Sequence, residues 1–266
     1  MPFVRTVRLA VCMLGLALQV HAETPLTGTT SPAAETLAPA SAMSPGDRAD
    51  LRAEVRAYLL ENPEVLMEAI AVLEKRRDDK AASDDVALLR DNADAIYNDP
   101  ASWVGGNPQG DITVVEFMDY RCGYCRKAHD EVAALVKSDG NIRFVVKEFP
   151  ILGPQSDVAS RFAIAVLQIE GDTVYGKVHE ALMTMAGDLD AAAMAKIASA
   201  SGVSDMAAVT ARMDSPEVQS VIDANHALGQ TLAINGTPTF VVQGTMLRGY
   251  VPLDGMRQVV AEARKG

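Results

Sequence analysis

The stretch Ile112-Thr113-Val114-Val115-Glu116-Phe117-Met118-Asp119-Tyr120-Arg121-Cys122-Gly123-Tyr124-Cys125 decides the reading of this chain. Ile112 to Met118 is an apolar, β-branched run of strand length. The pair Cys122 and Cys125 follows it at once and opens a helix predicted over Gly123 to Lys137. A cysteine at such a junction faces unpaired backbone N–H groups and the positive end of the helix dipole, which favour thiolate over thiol. Cys125, one turn further in, is predicted to be more buried and to keep a higher pKa. The division of labour is therefore Cys122 as nucleophile and Cys125 as resolving thiol.

Working outward, Gly105 to Gly110 reads as a turn cluster in front of the strand, and a compact domain opens at Trp103. A second strand, Ile142 to Phe149, follows Gly140-Asn141 and makes a βαβ-type opening. Residues 154 to 232 read as helix, with caps at Asp190 and Ser215-Pro216, and form a helical insertion between two halves of a strand pattern. After Asn235-Gly236 come Thr237-Pro238, strands at Thr239 to Val242 and Met246 to Arg248, and a last helix from Leu253 to Arg264.

Upstream, residues 1 to 22 have the form of a secretory signal. Arg5 and Arg8 precede an apolar run from Leu9 to Leu18, and Val20-His21-Ala22 ends it, so cleavage is expected after Ala22. That run is too short to span a bilayer. Bulky Val11 argues against a lipidated Cys12. Losing this segment removes two arginines and no acid, deepening a net charge of −11 by two. An acidic surface disfavours nucleic acid as a partner. Of three cysteines, the two that remain form one C-x-x-C, which in an exported protein points to chemistry rather than stapling.

Residues 23 to 46 read as a flexible linker rich in Thr, Ser, Pro and Ala. Residues 47 to 99 read as helical, with Leu51, Val55 and Tyr58 on one stripe, Asn62-Pro63 as the start of a second helix carrying Leu66, Ile70 and Leu73, and Val86, Leu89, Ala93 and Ile96 on a third. Stripes this narrow enclose no core, so they pack on the downstream domain or on another subunit, the second being preferred; a solvated spacer is the remaining option.

The runs Phe117 to Cys125, Phe149-Pro150-Ile151-Leu152-Gly153 and Gly236-Thr237-Pro238-Thr239-Phe240 resemble the DsbA-like branch of the thioredoxin superfamily, over about residues 103 to 266. Asp50 to Glu74 resembles the N-terminal segment of ScsC-like proteins. The resemblance implies an α/β thioredoxin fold, a cis Pro238 with Thr237 offering backbone hydrogen bonds to an extended substrate, and an acid at Glu116 that relays a proton to or from Cys125. Gly123 and Tyr124 between the cysteines, with Thr237 before the proline, resemble disulfide isomerases more than strong oxidants. It implies a periplasmic protein acting on clients with cysteines, reset by a membrane redox partner, oligomeric through residues 47 to 99, and needing no cofactor beyond its redox-active disulfide. Two alternatives stand: a monomeric dithiol oxidase, and a copper(I) chaperone using the same thiols. His129 near the cysteines leaves a zinc set one ligand short.

Overall fold

The computed structural model describes residues 43–265; the signal segment, Cys12 and most of the linker lie outside them. Two units are distinguished, divided after Asn62. In the first, Pro45–Glu61 forms α1, entered through a capping box between Ser44 and Asp47. Asn62 closes α1, its side chain donating to the Tyr58 carbonyl. It was expected to start the next helix; Pro63 stands at that N-cap without a side-chain hydrogen bond. No residue of α1 is buried.

The second unit holds α2 (Glu64–Asp91), α3 (Ala93–Tyr97), β1 (Trp103–Gly106), β2 (Ile112–Met118), α4 (Gly123–Asp139), β3 (Ile142–Glu148), α5 (Pro154–Glu170), α6 (Asp172–Thr184), α7 (Ala191–Ser201), α8 (Met206–Met213), α9 (Pro216–Thr231), β4 (Thr239–Val242), β5 (Thr245–Arg248) and α10 (Leu253–Ala263). The sheet order is β1-β3-β2-β4-β5. Strand β2 is central, parallel to β3 from Ile112↔Ile142 to Met118↔Glu148 and antiparallel to β4 from Val114↔Val242 to Phe117↔Thr239. The parallel pair needs a crossover, and α4 supplies it. Gln243 and Gly244, at φ 42° and 91°, make the two-residue turn with left-handed residues that joins β4 to β5.

Alternation along β2 sorts its side chains. Ile112, Val114 and Met118 enter a core with Cys125, Val132 and Leu135 of α4, the inserted helices, and Met256 and Val260 of α10. Val115 and Phe117 enter the opposite core with Val145, Phe149, Val241, Leu228 and Leu232. Glu116 therefore shares a face with Val114 and Met118, on the side of the active-site helix. Of the inserted helices, α7 and α9 start where the sequence predicted caps: Asp190 accepts from the N–H of Ala193, and Ser215 from that of Val218 with Pro216 in the first turn.

Three expectations change. The stripe at 86–96 is divided, Val86 and Leu89 lying at the end of α2 and Ala93 and Ile96 on the short α3, and its Leu89 and Ile96 are buried in the second core of their own chain rather than against a second subunit. Asp85 fixes this end of α2 by accepting from both terminal nitrogens of Arg248 at 2.6 and 2.8 Å. The turn cluster begins later than expected, because Trp103–Gly106 pairs antiparallel with β3. A Cβ on Gly105 would collide with the Trp103 ring, so glycine is what lets that indole fold over its own strand.

Candidate active site

Strand β2 delivers the chain to a turn, Asp119 to Arg121, and Cys122 then caps α4. Its N–H donates to the Asp119 carbonyl at 3.0 Å, and its Sγ accepts from the N–H of Cys125 at 3.4 Å. Both cysteines are free thiols. The Cys122 thiol is lowered from 9.0 to about 5, first by its hydrogen bond with the Cys125 thiol, against the opposing effect of burial, and further by Thr237 and the N–H groups of Cys125 and Tyr124. Cys125, with no exposed surface, is raised by that same hydrogen bond, by burial and by the charge of Glu116. The pair is thus split into a nucleophile that ionises below neutral pH and a partner held as thiol.

Thr237 arrives from 115 residues away, its carbonyl accepting from Cys122 Sγ at 3.2 Å. The Thr237–Pro238 bond is cis, and β4 begins at Thr239 beside Phe117. Tyr124 is 62 % exposed and stacks on Tyr250 with ring centroids 6.3 Å apart; a Cβ on Gly123 would meet nothing within 4 Å. Arg121 and Arg126 flank the cysteines but point elsewhere: Arg126 donates to the carbonyls of Tyr120 and Met185 at 2.7 and 2.8 Å, and Arg121 to Gly187 and Asp188. The Cys122 thiolate is stabilised by hydrogen bonds rather than by these guanidiniums.

Glu116 is buried and its Oε1 has no hydrogen-bond partner. Burial, then the charge of Cys122, pushes its carboxyl up to about 8. It lines a cavity of about 490 Å³ with Trp103, His129, Phe144, His179 and Glu180. His129 is turned into this cavity and bonds Glu180 at 2.6 Å. Among the described residues no group of three or more His, Cys, Asp or Glu side chains could hold a metal ion.

Two carboxylates escaped the sequence reading. Glu148, raised to about 7 by burial, accepts from the hydroxyls of Tyr120, Tyr175 and Ser160 at 2.8, 2.6 and 2.8 Å; Tyr120 also meets His179 Nδ1 at 3.1 Å. Asp119 is fully buried beneath the catalytic turn. Glu148 carried a signal, since it interrupts the apolar run Phe144 to Phe149 as Glu116 interrupts its own strand.

A thiol pair at the start of a helix, faced by a cis-proline loop on a mixed sheet with a helical insertion, defines the thioredoxin fold of the disulfide-exchange type. The model of the DSBA-like thioredoxin domain matches residues 113–261, and the chain belongs to that family. The copper resistance protein ScsC N-terminal domain matches residues 47–80. A thioredoxin-like oxidoreductase from Silicibacter pomeroyi DSS-3 is 44% identical over 65% of this chain and 98% of its own, with a TM-score of 0.61. BcfH of Salmonella enterica Typhimurium is 27% identical over 82% of this chain and 96% of its own, with a TM-score of 0.70. Of the curated relatives, the thiol:disulfide interchange protein DsbC of Escherichia coli (strain K12) is 26% identical over 159 residues, 59% of this chain and 54% of that protein. The chain spans about a quarter of the length of a Salinispora arenicola Na(+)/H(+) antiporter, about half of DsbC, and 83% of the disulfide bond formation protein D of Bacillus subtilis (strain 168).

Proposed function

We propose that this protein is a thiol-disulfide oxidoreductase acting on protein disulfides in the periplasm, working as an isomerase or reductase. The observation that carries the reading is Cys122 at the start of α4, lowered to about 5 and held 3.2 Å from the carbonyl of Thr237 beside a cis proline. The Cys122 thiolate attacks one sulfur of a client disulfide; that S–S bond breaks, and the other client sulfur leaves as thiolate. In isomerisation a second client thiolate attacks the mixed disulfide and returns Cys122 as thiolate. In reduction Cys125 gives up its proton and attacks Cys122 Sγ, releasing the client as dithiol and closing the Cys122–Cys125 disulfide. Glu116 takes the proton through its ionised form, the minor one at neutral pH for a carboxyl pushed up to about 8. Thr237 presents backbone to an extended client, and Gly123 and Tyr124 shape the approach. A membrane partner resets the pair by supplying or withdrawing two electrons. No cofactor beyond the cysteine pair enters these steps.

Export through a signal cleaved after Ala22 fits the family's thiol chemistry. Assembly into an oligomer through residues 47 to 99 is supported by the match at 47–80 and by exposed apolar stripes: Leu51, Val55 and Tyr58 are each about half exposed on α1, as are Leu66, Ile70 and Leu73 on α2. Leu89 and Ile96 dock on the domain, which leaves Val86, an exposed side chain, and the stripes before it for that surface.

The test is the equilibrium potential of Cys122/Cys125 against glutathione, with the solution mass of the same sample. A potential clearly below about −120 mV with an oligomeric mass supports isomerase or reductase work; a value near −120 mV with a monomeric mass makes the protein a dithiol oxidase. The match of residues 47–80 to the N-terminal domain of the copper resistance protein ScsC supports copper(I) binding as a second reading. Copper retained by the reduced protein and lost in Cys122→Ser would support it.

A further inference from the structure

Beyond residue 86, the exposed large apolar side chains among the described residues are Tyr124, Ile151 and Leu152. Tyr124 stands between the two cysteines. Ile151 and Leu152, 39 % and 53 % exposed, occupy the loop between β3 and α5. Surface apolar groups scattered singly need no explanation, but the Ile151–Leu152 loop is bonded to Asp119, the residue whose carbonyl accepts from the N–H of Cys122, which ties exposed apolar groups to the turn of the nucleophile.

One side chain ties this loop to the nucleophile. Asp119 has no exposed surface. Its Oδ2 accepts from the N–H groups of Ile151 and Leu152 at 2.8 and 3.0 Å. Its Oδ1 accepts from the N–H of Arg121 and the hydroxyl of Ser156, both at 2.7 Å. Its own carbonyl accepts from the N–H of Cys122 at 3.0 Å. A carboxylate without a paired cation is costly to bury, and four short hydrogen bonds compensate it. Those bonds join the turn that carries Cys122 to the loop that carries the exposed Ile151 and Leu152.

We propose that Asp119 is a positioning residue that locks the Ile151–Leu152 loop to the Cys122 turn, making that loop a specificity lip for clients with a large apolar side chain close to the reacting cysteine. The proposal rests on the oxidoreductase reading above. A client in extended form lays its apolar side chain against Ile151 and Leu152, and the fixed spacing through Asp119 brings the client sulfur in line with Cys122 Sγ. Reaction rates are sensitive to placement, a misplacement of about 1 Å costing about a hundredfold. The lip therefore acts through KM and through alignment, while the chemistry at sulfur is left to the cysteines.

The experiment compares two peptide disulfides that differ by Leu or Ser two residues from the cysteine, with 2-hydroxyethyl disulfide as a substrate too small to reach the lip. The wild type is expected to favour the Leu peptide by about tenfold in kcat/KM, chiefly through KM. Asp119→Asn is isosteric, but its amide can serve only one of the two pairs of donors, so the preference is expected to fall to about twofold or less. Turnover of 2-hydroxyethyl disulfide and the ultraviolet titration of Cys122 should stay within about twofold and half a pH unit. Ile151→Ser with Leu152→Ser, both exposed, keeps the carboxylate and its bonds to the backbone; it should lose the same preference, and it decides the matter if Asp119→Asn does not fold. The proposal is overturned if Asp119→Asn loses all three substrates in equal proportion, or if the double serine variant keeps the Leu preference. If the wild type exchanges none of the three, the oxidoreductase reading fails first and the lip goes with it.

Discussion

Replacing Glu116 by Gln tests how the buried carboxyl is held. Its ordinary value of 4.5 is pushed up to about 8, by burial first and by the Cys122 charge second. At about 1.4 kcal/mol per pH unit, that interval amounts to about 5 kcal/mol. The sign follows from which state ionises. Below pH 4.5 the carboxyl is protonated in both states and contributes nothing pH-dependent. Between 4.5 and 8 the unfolded chain ionises while the folded one keeps its proton, so stability drains away as pH rises, and above 8 the loss is constant. Glu116→Gln removes this dependence, so its stability relative to the wild type should rise by about 3 kcal/mol between pH 4.5 and pH 7. The unpaired amide it introduces shifts the whole curve by a constant and leaves the slope untouched. The disulfide form is the cleaner sample, because Cys122 cannot ionise there and burial, the larger cause, remains. Urea unfolding followed through Trp103, the chain's one tryptophan, at several pH values from 4.5 to 8.5 gives both curves. Parallel curves for wild type and variant between pH 5 and 8 would refute the account of Glu116 as a buried, protonated acid.

Two further outcomes follow from the same geometry. Thiolate absorbance of the reduced protein should titrate with a midpoint near 5, and Cys125→Ala, which removes the first cause of that lowering, should move the midpoint up towards 9; an unchanged midpoint would transfer the effect to the helix terminus alone. Leu89→Ala should cost about 2–5 kcal/mol of domain stability as a buried truncation, whereas Val55→Ser on exposed α1 should leave domain stability within about 0.5 kcal/mol and reduce the solution mass instead.

The sequence disclosed what local chemistry decides. Ile112 to Met118 could only be a strand, Cys122 could only cap the helix behind it, and the caps at Asp190 and Ser215 stop and start helices where their side chains find an N–H. Glu116 was legible because a charge inside an apolar strand has nowhere else to go. What stayed hidden depends on partners far along the chain. Leu89 and Ile96 carry the same helical stripe as Val55 and Tyr58, and nothing local says that the first pair fills the core beside Val115 and Phe117 while α1 stays bare; the deciding contact, Asp85 with Arg248, spans 163 residues. Asp119 escaped the sequence reading, since its donors Ile151, Leu152 and Ser156 lie more than thirty residues away. Gly105 and Gly106 read as turn because glycine is scarce in strands, yet here Gly105 makes room for an indole on an edge.

For the proposed isomerase or reductase role, the geometry at Cys122 sets an expectation of the potential. A thiol pair grows more oxidising as its nucleophilic thiolate is stabilised, because that stabilisation belongs to the reduced form alone. Thioredoxin, with a value of about 7, sits near −270 mV, and DsbA, at about 3.5, near −120 mV. Cys122 at about 5 lies between them, so the pair is expected to have a potential between those two values. No cation reaches Cys122 to carry it further, since Arg121 and Arg126 are held by the 185–188 loop. A measured potential between those limits would fit the proposed isomerisation, in which a second client thiol resolves the mixed disulfide at Cys122, and a value of about −120 mV would overturn it.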